Sequence, residues 1–304
     1  MPNAFTRPMS PFHDQRMERE FPDWGGLDPQ AARRVFGDLR AYLGLPIERI
    51  AQDYWLYRDG QDAAAQRRVA EATDEATVLA YYASTPHYLY ELSYWEASRE
   101  KQAWFRVLVR ACRKYGLRRV LDFGGGVGGL SLHLGLHGIS CDYLDVPGKT
   151  FAYAAWRFAR HTPDVATLEA TAPHHAWPNG VYDAVIAWDV LEHLFDLESA
   201  IGHIAGLVRT ERWFVSKSTF AAHEGDHLDI HLAKHACYHD LHAFNRFLSQ
   251  QGFHFVGQLK PSRLSRLLRA CRLRYAVAGV RIVPRLKHGG NFLIHTRFDE
   301  TSTR

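Results

Sequence analysis

Val120-Leu121-Asp122-Phe123-Gly124-Gly125-Gly126-Val127-Gly128-Gly129 is an apolar run that stops in glycines and gives way to the leucine-rich LSLHLGLHG, residues 130–138. The run predicts a buried strand. The glycines predict a turn in which the backbone bends tightly and lets a ligand approach its amides. Strand-like and helix-like stretches then alternate through HGISCDYLDV (137–146), FAYAAWRFARH (151–161), VYDAVIAWDVLEHL (181–194), SAIGHIAGLV (199–208) and RWFVSKSTF (212–220). Such alternation is the pattern of a parallel sheet with crossover helices. A helix over Leu241 to Gln251, a strand at GFHFVGQ (252–258), an arginine-rich segment and a last, antiparallel strand at NFLIHTRF (291–298) close the chain.

Before Gly116 the pattern is helical. Asp28 followed by Pro29 reads as a cap and first-turn proline, and Val35, Leu39 and Leu43 recur at helical spacing up to Gly44. A second start follows at Pro46. Residues 62–115 predict two or more helices with Pro86 as the break, placing Leu92, Trp95, Phe105, Leu108 and Cys112 on one apolar stripe. Five prolines within residues 1–30 predict an extended arm. The expected organisation is an arm over 1–30, a helical cap and substrate region over 31–115, and a core over 116–304 carrying a basic insertion at 260–288.

The 304 residues suffice for a large buried core, and 46% apolar with 13% aromatic content excludes a largely disordered chain. No window resembles a membrane span and the first residues lack a signal peptide's apolar stretch, so the expected location is the cytoplasm, with no membrane partner. Cys112, Cys141, Cys237 and Cys271 lie far apart without a CxxC pair, which disfavours a disulfide framework or a thiolate zinc site. Residues 241–298 carry 11 Lys and Arg and no Asp or Glu. Within them, arginines alternate with leucines from Arg263 to Arg274, an amphipathic pattern whose ordinary reading is a helix with arginines in water. An acidic partner for segment 260–287, an anionic acceptor or nucleic acid are its functional readings, and self-association is compatible with the composition.

Gly124, Gly126 and Gly129 fit the dinucleotide pattern GxGxxG, but Asp122 just before them would oppose a pyrophosphate. That carboxylate favours a ligand that is cationic there. Asp145 ends the next strand, where an acidic side chain can accept hydrogen bonds from ribose hydroxyls. A nucleoside with a cationic tail satisfies both.

These features resemble the class I S-adenosylmethionine-dependent methyltransferases, small-molecule branch. VLDFGGGVGGL, LDV at 144–146 and YDAVIAWDVLEHLFD at 182–196 carry the resemblance, which covers about residues 85–258 and the closing strand. It implies an α/β fold: a Rossmann-like, mostly parallel seven-stranded sheet with helices on both faces and a helical N-terminal cap. It also implies S-adenosyl-L-methionine as cofactor. Gly124, Gly125, Gly126 and Gly128 would line the loop under the cofactor, and Asp122 would meet its ammonium directly or through water. Asp145, with Val146 beside it, would hold the ribose. Trp188 and Asp189 would lie beneath the methionine part, and Trp95 would cap the cofactor. Thr171 stands where relatives often place an adenine-contacting Asp.

The acceptor side rests on histidines. His223, His227, His231, His235, His239 and His242 crowd into residues 223–242. One of them, foremost His227 or His231, is expected to act as the acceptor's base or orienting group, while His193 either transfers protons or braces its helix. The spacing by four from His227 to His239 offers a metal-binding helical face as an alternative, with Asp226 and Asp229 completing it. Against it, Tyr238-His239-Asp240 reads as a fresh helix start, so no metal is assigned. Aromatics such as Tyr81, Tyr82, Tyr88 and Trp104 either shape an acceptor pocket or form a seam. The function expected is O- or N-methylation of a small molecule. A carrier-bound or nucleic-acid substrate, or a catalytically silent binding protein, are the alternatives.

Overall fold

The computed structural model describes residues 26–162, 164–170, 180–220, 231–259 and 292–297. Most of the arm, all of the basic segment, Thr171 and His227 lie outside them.

Seven strands form one sheet: β1 (Arg119–Phe123), β2 (Ser140–Asp145), β3 (Ala166–Glu169), β4 (Tyr182–Trp188), β5 (Val208–Lys217), β6 (Phe253–Leu259) and β7 (Phe292–Arg297), in the order β3-β2-β1-β4-β5-β7-β6. β7 is antiparallel to β5 and β6, and the other pairings are parallel. The expected seven-stranded α/β fold is present.

Both faces of the sheet are covered, and the period of two divides the side chains. Leu121, Phe123, Val185 and Ala187 enter a cluster with Leu197, Ile201 and Phe244. Val120, Ala184, Ile186 and Trp188 enter the opposite cluster with Trp104, Phe105, Leu108 and Leu130.

Among the described residues six α-helices precede β1: α1 (Pro29–Leu43), α2 (Ile47–Leu56), α3 (Ala63–Ala70), α4 (Glu75–Ser84), α5 (His87–Ala97) and α6 (Arg99–Tyr115). Asp28 caps α1, its carboxylate accepting from the Ala31 amide at 3.0 Å, and Gly44 ends it in a left-handed conformation. The stripe expected across 88–115 is divided at Ser98, which caps α6 by accepting from the Lys101 amide at 3.1 Å. The helix axis is redirected there, so Trp95 is left 47% exposed while Phe105, Leu108 and Cys112 pack on the sheet.

α1, α2 and α5 bury Val35, Phe36, Ile50 and Leu89 together with Val127 of the glycine loop and Tyr153 of α8 (Lys149–His161). Glu96, Arg157 and Asp38 sit within this junction. Arg157 donates to both oxygens of Glu96 at 2.6 and 2.8 Å, to the Val127 carbonyl at 2.7 Å and to Asp38 at 3.3 Å. The helices thus lock onto the loop that follows β1. α4 reaches the carboxyl end of β2, where a β-carbon on Gly148 would lie 2.5 Å from the Ala83 carbonyl oxygen.

Candidate active site

β1 pairs with β2 on one side and with β4 on the other, so crossovers leave it in opposite directions and a crevice opens at the carboxyl ends of these strands. The glycine loop forms its floor. Gly124 (φ +69°) donates to the Leu144 carbonyl at 2.8 Å, and a β-carbon there would collide with Val190 from the loop after β4. Gly128 (φ +77°) precedes α7 (Gly129–Leu136) and presses on Phe158. Both positions demand a residue without a side chain, for conformation and for space.

Asp122 is 2% exposed, and its Oδ2 accepts from the Ser131 amide at 3.2 Å and the Ser131 hydroxyl at 2.7 Å. It therefore anchors the start of α7 under the loop. Gly125 lies directly over it and over the Tyr143 ring, where a β-carbon would meet both below 3 Å. Asp145 accepts from the Gly126 amide at 2.6 Å through Oδ2 and from the Val146 amide at 2.7 Å through Oδ1. Each oxygen keeps a second acceptor position. Tyr143, which sequence reasoning passed over, donates to the Gly126 carbonyl at 2.6 Å and so holds the loop from below.

Burial pushes both acids up to about 6. The neighbouring charge of Asp145 adds to this at Asp122, while hydrogen bonds from Ser131, Gly126 and Val146 and the charge of Lys101 restrain it. An acid raised on folding stabilises the fold below its unfolded value near 4 and loses that contribution as pH rises through 6. At neutral pH the crevice floor thus holds two carboxylates that a positive ligand would relieve.

Beyond β4 the chain turns sharply. Asp189 takes a left-handed conformation (φ +52°), donates its amide to the Lys217 carbonyl at 2.7 Å and pairs with Lys101 at 3.2 Å. Lys101 also lies 3.6 Å from the centre of the Trp188 ring. Burial lowers its pKa, the charge of Asp189 opposes this, and Lys217 adds to the lowering. Trp188 was expected beneath the ligand. Its ring instead packs against Phe105 and Phe292 in the cluster under α6, because even-numbered residues of β4 face that side. Leu92, one turn before the exposed Trp95, is the residue that lies against Gly126.

The turn Leu191–His193 carries the remaining candidates. Glu192 is 1% exposed and accepts from the Thr219 amide at 2.9 Å. The His193 ring meets that of His231 edge-on at 4.7 Å and that of Tyr82 at 5.9 Å. Burial, reinforced by His193, lowers His231 to about 4 against the pull of Glu192 and Asp189. A ring so neutral is a weak base toward a phenol but a good orienting group. Burial raises the Tyr82 hydroxyl well above the tyrosine range, with the charges of Tyr81, Glu192 and Asp145 adding to it.

Among the described residues, His231, His235 and His239 do not share one helical face. The short helix Ala233–His239 begins after His231, the His235 ring bonds the Leu194 carbonyl at 2.7 Å, and His239 bonds the Phe220 carbonyl at 3.2 Å. As expected, Asp240 caps a new helix, Leu241–Gln250.

Residues 88–258, more than half of the chain, match the family described as a methyltransferase domain. The chain belongs to this methyltransferase family. The highly reducing polyketide synthase ACTTS3 of Alternaria alternata is 29% identical over 113 residues, which is 34% of this chain and only 5% of that protein's length. A solved S-adenosylmethionine-dependent methyltransferase from Clostridium acetobutylicum superposes with a TM-score of 0.46 at 9% identity, over 65% of this chain and 92% of the other. Phosphoethanolamine N-methyltransferase 2 of Haemonchus contortus, solved with S-adenosyl-L-methionine, gives 0.44 at 14% identity over 64% and 53%. The residues of the crevice fit the S-adenosylmethionine that the sequence motifs imply: the loop at Gly124 and Gly128 has no room for side chains, and Asp145 retains acceptor positions at the crevice. Among the described residues no helix is long and apolar enough to cross a membrane.

Proposed function

We propose that the methyltransferase acts on a small-molecule acceptor, at oxygen or nitrogen, bound between the carboxyl end of β4 and the tyrosines of α4 and α5. The observation that carries this reading is the position of Tyr82 against the turn after β4. Its ring stacks on Tyr88 at 5.5 Å and meets His193, and α4 is held there by the contact of Ala83 with Gly148. Aromatic rings gathered against that turn suit a compact acceptor better than a polymer.

S-adenosylmethionine supplies an electrophilic methyl group when bound. Asp145 accepts the ribose hydroxyls, with Val146 and Gly126 fixing its carboxylate, and the glycine loop admits the nucleoside. Asp122 contributes its charge from beneath the loop, while Asp189 is the acidic group exposed to the methionine end. Tyr82, kept protonated by burial, donates a hydrogen bond to the acceptor, and His193 and His231 orient it. Excluding water and aligning the acceptor constitute most of the protein's contribution. A cytoplasmic setting is part of the same proposal, supported by the unpaired thiols of Cys112, Cys141 and Cys237.

The pH dependence follows from the floor acids. Protonation of Asp145 and Asp122 removes the attraction for a cationic ligand, so calorimetric affinity for S-adenosylmethionine should fall as pH drops through 6, about tenfold by pH 5 for one coupled proton. A flat profile between pH 5 and 7.5 counts against the assignment. Label transfer from the cofactor to a panel of phenols, hydroxy acids and amines tests the acceptor class. Turnover confined to carrier-protein-bound acceptors would overturn it.

A further inference from the structure

We infer that Glu192, His193 and His231 bind a single divalent transition-metal ion of the zinc, manganese, iron(II) or cobalt class. A carboxylate oxygen of Glu192 and one ring nitrogen from each histidine all lie within 4.8 Å of one another. Ions of this class form ligand bonds of about 2.0–2.2 Å, so small rotations bring all three atoms onto one centre. Two imidazoles with one carboxylate suit borderline first-row ions rather than magnesium or calcium, and three ligands leave coordination positions for water or a substrate oxygen.

The surroundings support the same site. Glu192 is almost wholly buried, and its Oε1 is held by the Thr219 amide, yet its Oε2 has no hydrogen-bond partner among the described residues. Nδ1 of His231 is in the same position. A buried carboxylate oxygen and a buried ring nitrogen left this way carry a desolvation cost that a shared cation offsets. The amide of Leu232 donates to the Glu192 carbonyl at 3.2 Å, which draws His231 to the turn after β4. Three separate segments thus converge: the 191–193 turn, the chain just after β5 at Thr219 and the chain entering the helix at Ala233. Ligand groups fixed from behind by backbone bonds are characteristic of a metal centre. His235 and His239 bond carbonyls elsewhere, so the ligand set differs from a helical histidine stack.

The ion's position beside β4 faces the acceptor side, where it would polarise a hydroxyl or carbonyl oxygen of the substrate. That role rests on the acceptor reading above; the binding does not.

Cobalt(II) titration of tag-free, chelator-treated full-length protein, followed by its visible absorption bands, tests the site. One equivalent is expected to bind, with affinity at least tenfold weaker in His193→Ala and His231→Ala, weaker in Glu192→Gln, and unchanged in His235→Ala. Calorimetric binding of S-adenosylmethionine by each variant verifies folding, and Glu192→Gln, which keeps the side chain's shape, decides if the alanine variants unfold. Absence of a saturable one-equivalent signal overturns the site, as does a signal that survives in the His193 and His231 variants or follows His227 or His235 instead. Cobalt binding without methyl transfer to any small acceptor upholds the metal site and counts against the acceptor reading alone. Methyl transfer without a cobalt signal does the reverse.

Discussion

Arg157→Met should destabilise the folded chain by about 3–5 kcal/mol, the cost of breaking a buried ion pair by removing one partner. Arg157 is fully buried and serves two carboxylates and a carbonyl at once. Its loss leaves Glu96 and Asp38 inside the junction between α1, α5 and the glycine loop, Glu96 with only the longer ion pair to Arg34 at 3.5 Å among the described residues. Burial pushes Asp38 upward, but its bond to His161 and the charge of Arg157 outweigh this and hold its pKa below the usual range. Without Arg157, His161 at 2.8 Å is its remaining ion-pair partner among the described residues. Lysine cannot substitute, because one ammonium does not reproduce the bidentate grip on Glu96. Urea unfolding is the measurement. A change below about 1 kcal/mol would show that the network is dispensable. The double variant Arg157→Met/Glu96→Leu should recover at least half of the loss, since an apolar replacement of the pair removes the stranded charge. A β-carbon on Gly129 would lie 2.7 Å from Glu96 Cδ, so the single variant should also weaken cofactor binding through the loop.

Asp145→Asn is expected to lower affinity for S-adenosylmethionine about 100-fold, or about 2.7 kcal/mol. The carboxylate receives the amides of Gly126 and Val146 on its two oxygens. An asparagine presents one oxygen and one NH2 group, so a donor must face one of these donors. The loop then shifts, and the negative charge opposing a cationic ligand is gone. Isothermal calorimetry decides it, with far-ultraviolet circular dichroism verifying the fold. Undiminished affinity would remove Asp145 from the binding site.

Much of the candidate site was legible because its chemistry is local. Asp122, the glycines and Asp145 lie at strand ends, where a period of two and a glycine turn place them without further information. The aromatic and histidine candidates were harder. Trp188 follows the parity of β4, which sends its ring under α6, a helix whose position a linear reading does not specify. Trp95 was separated from its stripe by a cap at Ser98, a local signal that could have been read from Ser98-Arg99-Glu100-Lys101. Lys101, Tyr143 and the Glu96–Arg157–Asp38 network escaped notice because each joins residues far apart in the chain.

Sequence by itself determined the alternation of strands and helices, the glycine turn and the acid at each strand end, because these depend on residue periodicity and backbone conformation. Only the tertiary structure decided which histidine meets Glu192. His231, rather than a helical row of four, reaches the turn after β4 because the Leu232 amide bonds the Glu192 carbonyl, while His235 and His239 turn to other carbonyls. Such choices depend on where distant backbone groups need partners, and spacing along the chain carries no record of that.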